Sequence, residues 1–245
     1  MIRASFTEPG MEHKFRSALQ LLLAQTLPIP SRPSPDSSGL GEPMKIAVLG
    51  TGNVGTALAD GLLAAGHDVV LGARDPAGKD GFAPKVVGMQ EAIASADVVV
   101  SALPGNAAQD ILGPFSDSLA GKLLIDVGNA LTPAFDLAYP NASLGAALQA
   151  QFPDTRVVKT LNTMSVAAMT GAESRAAEST VFLSGNDEAA KETVAGLLSD
   201  LGWSRENQLD LGDISTARNA EHYFFLAVNL MSSLNTRSVN IKVVA

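Results

Sequence analysis

From residue 44 onward, short all-apolar runs alternate with longer stretches in which apolar residues recur every three or four positions. Lys45-Ile46-Ala47-Val48-Leu49 has the near-continuous apolar character of a strand buried on both faces of a parallel sheet. A glycine-rich turn follows, and Val54, Leu58, Gly61, Leu62 and Ala65 then put small apolar residues on one face of a helix. Gly66 closes that helix and Val69-Val70-Leu71 begins a second strand. The same reading predicts a short strand at Lys85–Val87, a short helix at Met89–Ala94, and buried strands at Asp97–Ala102 and Lys122–Val127. It continues with a helix at Ser143–Gln151 and strands at Arg156–Thr160 and Thr180–Ser184. Asn186 is the expected N-cap of a helix over Asp187–Leu201, whose buried stripe is Ala190, Val194, Leu197, Leu198 and Leu201. A last helix over Ile214–Leu234 is expected to turn Tyr223, Phe224, Leu226, Ala227, Leu230 and Met231 to the core, with Ile241–Val244 a strand or extended tail. Strands alternating with helices predict an α/β fold: a doubly wound, mainly parallel sheet of the Rossmann type with a short C-terminal helical element.

The first turn carries the clearest chemistry. Gly50-Thr51-Gly52-Asn53-Val54-Gly55 lies between a buried strand and an amphipathic helix, the context in which a G-x-G-x-x-G pattern has physical meaning. Gly50 permits the tight turn, Gly52 lets backbone approach a pyrophosphate, and Gly55 lets helix and strand pack closely. Free N–H groups at the helix start favour phosphate. All six residues are therefore candidate cofactor contacts. At the tip of the second strand, Ala73 and Arg74 precede Asp75, and Lys79 lies shortly beyond. A small residue with two cations suits the 2′-phosphate of NADP, whereas Asp75 would read the ribose of NAD; the charge logic favours NADP, and use of NAD stays open. Leu103-Pro104 breaks the fourth strand at its carboxyl end, where ligands lie in open α/β sheets, so Leu103 and Pro104 join the candidates. Asn129, after the fifth strand, either meets the nicotinamide carboxamide or caps its loop.

Composition narrows the alternatives. The 245 residues, 46% of them hydrophobic, fill one α/β domain. A formal net charge of −8 argues against sequence-independent binding to nucleic acid. The absence of cysteine excludes disulfides, thiolate nucleophiles and Cys-ligated metal, so no metal site is expected, and it suits a cytoplasmic protein. No stretch approaches the roughly 18 apolar residues of a membrane span. Residues 1–43, rich in proline and serine towards their end, are expected to form a disordered or dispensable extension, or to precede a translation start at Met44. Residues 44–245 then make up the nucleotide-binding domain with its integrated last helix.

No nucleophile elbow, H-E-x-x-H or paired-carboxylate pattern occurs, and the sequence nominates no catalytic residue. Of three histidines, His13 lies in the extension, His67 stands away from the ligand edge in an expected structural role, and His222, in the last helix, is the one that could stand near a substrate, a packed or solvated role being favoured. After the last strand too little chain remains for a separate substrate domain. The substrate is therefore expected to lie over the sheet edge against the last helix, or to meet a second subunit in a homodimer. A missing acid or base is tolerable when the acceptor is a flat redox ring, because orientation then supplies much of the rate.

Residues 44–245 resemble the NADPH-dependent reductases of the deazaflavin coenzyme F-420. The likeness is carried by Gly50–Gly55, Gly72-Ala73-Arg74, Leu103-Pro104, Ser184-Gly185-Asn186-Asp187, Asp210–Arg218 and Asn240–Val244. It implies that Thr51, Asn53, Ala73 and Arg74 hold the NADP phosphates; the family usually has Ser at position 73, so one hydroxyl contact is lost here. It implies, too, a ring stacked on the nicotinamide beneath Leu103-Pro104 and Leu161-Asn162-Thr163, beside the last helix. The expected function is hydride transfer between NADP(H) and a small-molecule redox acceptor of deazaflavin, flavin or ferric-chelate type. A non-catalytic NADP-binding sensor or partner protein is the alternative.

Overall fold

The computed structural model describes residues 42–171, 179–236 and 238–244. The expectation for residues 1–43 falls, apart from Glu42 and Pro43, outside the described residues. The first half follows the predicted alternation: β1 (Lys45–Leu49), α1 (Asn53–Ala64), β2 (Asp68–Ala73), β3 (Lys85–Gly88), α2 (Met89–Ser95) and β4 (Val98–Ser101). Two short helices, α3 (Ala108–Leu112) and α4 (Ser116–Leu119), were not legible as elements and lead to β5 (Leu123–Asp126). Then come α5 (Leu144–Gln151), β6 (Arg156–Thr160), a one-turn α6 (Val166–Met169), β7 (Val181–Gly185), α7 (Glu188–Asp200), β8 (Gln208–Asp210) and α8 (Ala217–Ser233).

The eight strands form one sheet in the order β3-β2-β1-β4-β5-β6-β7-β8. All neighbours are parallel except β6 and β7. The order reverses between β1 and β4, so this doubly wound sheet opens its ligand crevice at their carboxyl ends. Alternating residues of the apolar strands supply both cores: Val48, Val100, Ile125 and Val158 face α1 and α7, while Leu49, Val99, Leu124 and Val157 face α2 and α5. Burial on both sides is what made the strands read as unbroken apolar runs. Trp203 closes the first core, 1% exposed, with its indole N–H donated to the Met169 carbonyl at 3.2 Å.

Three expectations need correction. Asp187, not Asn186, caps α7, accepting from Ala190 N at 2.7 Å, because Asn186 uses its own side-chain oxygen on Ile214 N at 3.0 Å. In the last helix Leu226 and Leu230 are exposed, and the inward face is Ala217, Ala220, Glu221, Ala227 and Val228. Apolar residues occupy nearly every position from Tyr223 to Met231, so their periodicity could not say which face turns inward. The helix also starts later than expected, after a 3-10 turn at Ile214–Thr216. Residues 241–244 are extended, with the Ile241 carbonyl accepting from Thr180 N at 2.7 Å and Val243 N donating to the Thr180 hydroxyl at 3.0 Å.

Candidate active site

The glycine turn is built as its sequence requires. Gly50 has φ of 113°, and a Cβ there would lie 2.7 Å from the Ala102 carbonyl oxygen. A Cβ on Gly55 would lie 2.0 Å from the Gly50 carbonyl oxygen, so the helix can start this close to β1 only without a side chain. Gly52 is different: a Cβ there would meet nothing within 4 Å. Packing within the protein therefore does not demand this glycine, and the space above it is open to a ligand. Gly52 is also the N-cap of α1, where no side chain caps the helix and no acidic residue occupies its first turn. The N–H groups of that turn are left to an anion, which is what a pyrophosphate needs.

At the end of β2, Ala73 is buried and Arg74 is exposed, with no hydrogen bond or ion pair among the described residues. Asp75 turns its carboxylate back onto Ala77 N at 3.1 Å, so it serves its own turn. Lys79 is half-buried in the same loop. These residues leave the Arg74 guanidinium free at the tip of β2 among the described residues.

The loops after β4, β5 and β6 interlock. Gly105, just past Leu103 and Pro104, sits so close to the next loop that a Cβ would lie 2.4 Å from the Asn129 carbonyl oxygen. The Asn129 side chain donates to the Asn162 carbonyl at 2.8 Å and accepts from the Asn162 side-chain amide at 2.9 Å. Leu161, between β6 and Asn162, has φ of 62°, an uncommon and strained conformation for leucine that turns the chain sharply there. Asn129 therefore ties two loops together, and it also lines a cavity.

That cavity, about 210 Å³, lies beside the start of α1 and under the final helix. Val54, Asn129, Asn162, Thr163, Tyr223 and Phe224 are among its walls, with Met164, Met169 and Met231 adding thioethers. No charged side chain lines it among the described residues. Tyr223 brings a phenol whose pKa burial pushes above the usual value, keeping it a neutral donor at physiological pH. Of the residues expected to bind cofactor, Val54 and Asn129 reach this cavity; the other glycine-turn residues, Leu103 and Pro104 lie along the neighbouring strand ends, and Ala73, Arg74 and Lys79 lie at the far end of the crevice. His222 is not among its walls, and its Nε2 is buried without a partner among the described residues. His67 holds Asp200 at 3.1 Å and accepts from Met44 N at 3.3 Å, away from this edge, as its structural role required.

One cluster was not found from the sequence. Lys159 of β6, 1% exposed, contacts Asp126 Oδ2 at 2.7 Å and Glu221 Oε1 at 2.9 Å, and donates to the Gly128 carbonyl. Burial disfavours the charge on Lys159, but the two carboxylates outweigh it and raise the pKa of the ammonium. Burial raises the pKa of Asp126 against the pull of Lys159, as fits a site with one carboxylate in excess. The signal available was a lysine and an aspartate in strands that otherwise read as apolar, RVVKT and LLID; nothing nearby in sequence announced Glu221. Among the described residues, no group of three or more histidine or acidic side chains could hold a metal, and no helix is long and apolar enough to cross a membrane.

A doubly wound sheet with a glycine-rich turn at its switch point defines a Rossmann-type fold. Residues 45–130 match a family described as NADP oxidoreductase, coenzyme F420-dependent. A crystal structure from Arthrobacter sp. FB24, provisionally described as an F420-dependent NADP reductase, is 38% identical and superposes with a TM-score of 0.75 over 82% of this chain and 100% of that one. The F420-dependent NADP reductase of Methanothermobacter thermautotrophicus is 28% identical over 82% of this chain and 94% of its own length. Metalloreductase STEAP3 of Rattus norvegicus is 32% identical over 74% of this chain, but the match spans only 36% of that protein. The chain belongs to the F420-dependent NADP oxidoreductase family of Rossmann-fold oxidoreductases and is related to the F420-dependent NADP reductases.

Proposed function

We propose that this protein transfers hydride between NADP(H) and a flat deazaflavin- or flavin-type acceptor. The observation that carries this reading is the largely apolar cavity beside the glycine turn, walled among the described residues by aromatic, methionine and other uncharged side chains. Such walls suit the faces of a planar conjugated ring. Among the described residues its walls carry no cation of the kind a small anionic ferric chelate would need, which favours the ring over the chelate.

The glycine turn and the start of α1 would hold the pyrophosphate, and Arg74 with Lys79 the 2′-phosphate. When bound, NADPH supplies the hydride. The Asn129–Asn162 pair fixes two walls of the cavity and presents amide groups to a ring edge or carboxamide. Thr163, Ser165 and Tyr223 bring hydroxyl groups that can donate to the charge a ring acquires with a hydride. The apolar remainder excludes water.

Mixing the purified protein with NADPH and, in turn, a deazaflavin, a flavin and a ferric chelate tests the proposal through the absorbance of the reduced nicotinamide. Rapid oxidation with the ring acceptors is expected. Tight NADPH binding without oxidation by any acceptor would favour a non-catalytic sensor and overturn the reaction.

A further inference from the structure

Gly128 is held from both sides by groups buried beneath the cavity. Its N–H donates to Asp126 Oδ1 at 3.1 Å and its carbonyl accepts from Lys159 Nζ. The same Lys159 reaches Glu221 of α8 at 2.9 Å, and Glu221 accepts from Leu144 N at 2.8 Å and Gly145 N at 3.2 Å at the start of α5. One ammonium thus joins the ends of β5 and β6 to α8, while Glu221 joins α8 to α5. Gly128 belongs to the cavity wall, and α8 brings Tyr223, Phe224, Ala227 and Val228 to it, less than three turns beyond Glu221. Neither Lys159 nor Glu221 lines the cavity.

We propose that Lys159 and Glu221 are positioning residues that set the separation between the Gly128 loop and the final helix, and through it the fit of the acceptor. The consequence for the acceptor rests on the function proposed above; the mechanical link does not. A buried ammonium satisfied by two carboxylates and a carbonyl has one geometry in which all its partners are met. Losing Glu221 frees α8 to shift while the Lys159–Asp126 pair keeps the strand ends in place. The nucleotide cradle, built on β1, α1 and β2, shares none of these contacts.

The test uses the full chain with Glu221→Gln, and Asp200→Asn as a control that loosens the His67 contact at the opposite sheet edge. Hydrogen–deuterium exchange is expected to quicken at residues 127–131 and along α8 in Glu221→Gln and to stay unchanged there in the control. With NADPH and a deazaflavin as probe, the acceptor KM should rise about tenfold, with kcat and NADPH affinity each within about twofold. Should Glu221→Gln fold poorly, replacement of the whole cluster, Lys159→Met with Asp126→Asn and Glu221→Leu, removes every buried charge of the triad and is expected to show the same rise in KM. Unchanged exchange at residues 127–131, equal weakening of NADPH and acceptor, a matching rise in the control, or a normal KM in the triple variant would each overturn the assignment. If the wild-type protein oxidises NADPH with no acceptor, the proposed reaction fails while the exchange experiment still decides the link.

Discussion

Asn162 donates its side-chain amide to Asn129 Oδ1 at 2.9 Å and receives the Asn129 amide on its main-chain oxygen at 2.8 Å. This reciprocal pair joins the loops after β5 and β6 where both line the cavity. Replacing Asn162 by Leu leaves the Asn129 oxygen without its donor and should cost about 1–3 kcal/mol in the assembled site. The expected outcome is a fall of roughly tenfold or more in kcat/KM for a ring acceptor, with NADPH affinity little changed, measured by steady-state kinetics and nucleotide titration.

The two glycines of the turn should fail differently. Gly52→Val places its side chain in open space, so the thermal midpoint should stay near wild type while NADPH binding is lost. Gly55→Val drives Cβ into the Gly50 carbonyl and should unfold or strongly destabilise the protein. Circular-dichroism melts beside a calorimetric NADPH titration separate the two; intact NADPH binding by Gly52→Val would remove the pyrophosphate from this turn.

Arg74 has no partner among the described residues, so changing it disturbs little of the protein itself. Arg74→Glu is expected to weaken NADPH by about 1.5–3 kcal/mol through loss of a charge-assisted contact, and NADH far less. Equal losses for both nucleotides would show that this arginine does not read the 2′-phosphate.

The buried ammonium predicts an alkaline limit to stability. The folded pKa of Lys159 lies above the ordinary 10.5, so its contribution is complete below that value and disappears as pH climbs through the folded pKa. Lys191, raised by Asp210 and Glu188 against its own desolvation, acts in the same direction. Urea midpoints measured between pH 9 and 12 should fall steeply in the wild type and less steeply in the Lys159→Met, Asp126→Asn, Glu221→Leu variant. An identical slope in both would assign the alkaline loss to other groups.

The sequence alone determined the strand and helix succession of the first unit, the glycine turn, and the placement of Arg74 at the tip of β2. These are local consequences of sheet burial, helix periodicity and backbone freedom, each confined to a few neighbouring residues. Family likeness could also be read there, because Gly50–Gly55 and Asp210–Arg218 are contiguous strings. Tertiary structure alone decided which face of the last helix turns inward, since apolar residues nearly surround it and only packing selects Ala227 and Val228 over Leu226 and Leu230. It also decided that Asn129 meets Asn162 and that Glu221 meets Lys159. Those contacts join segments far apart in the chain, and the preferences of single segments carry no information about which distant polar group will satisfy a buried one.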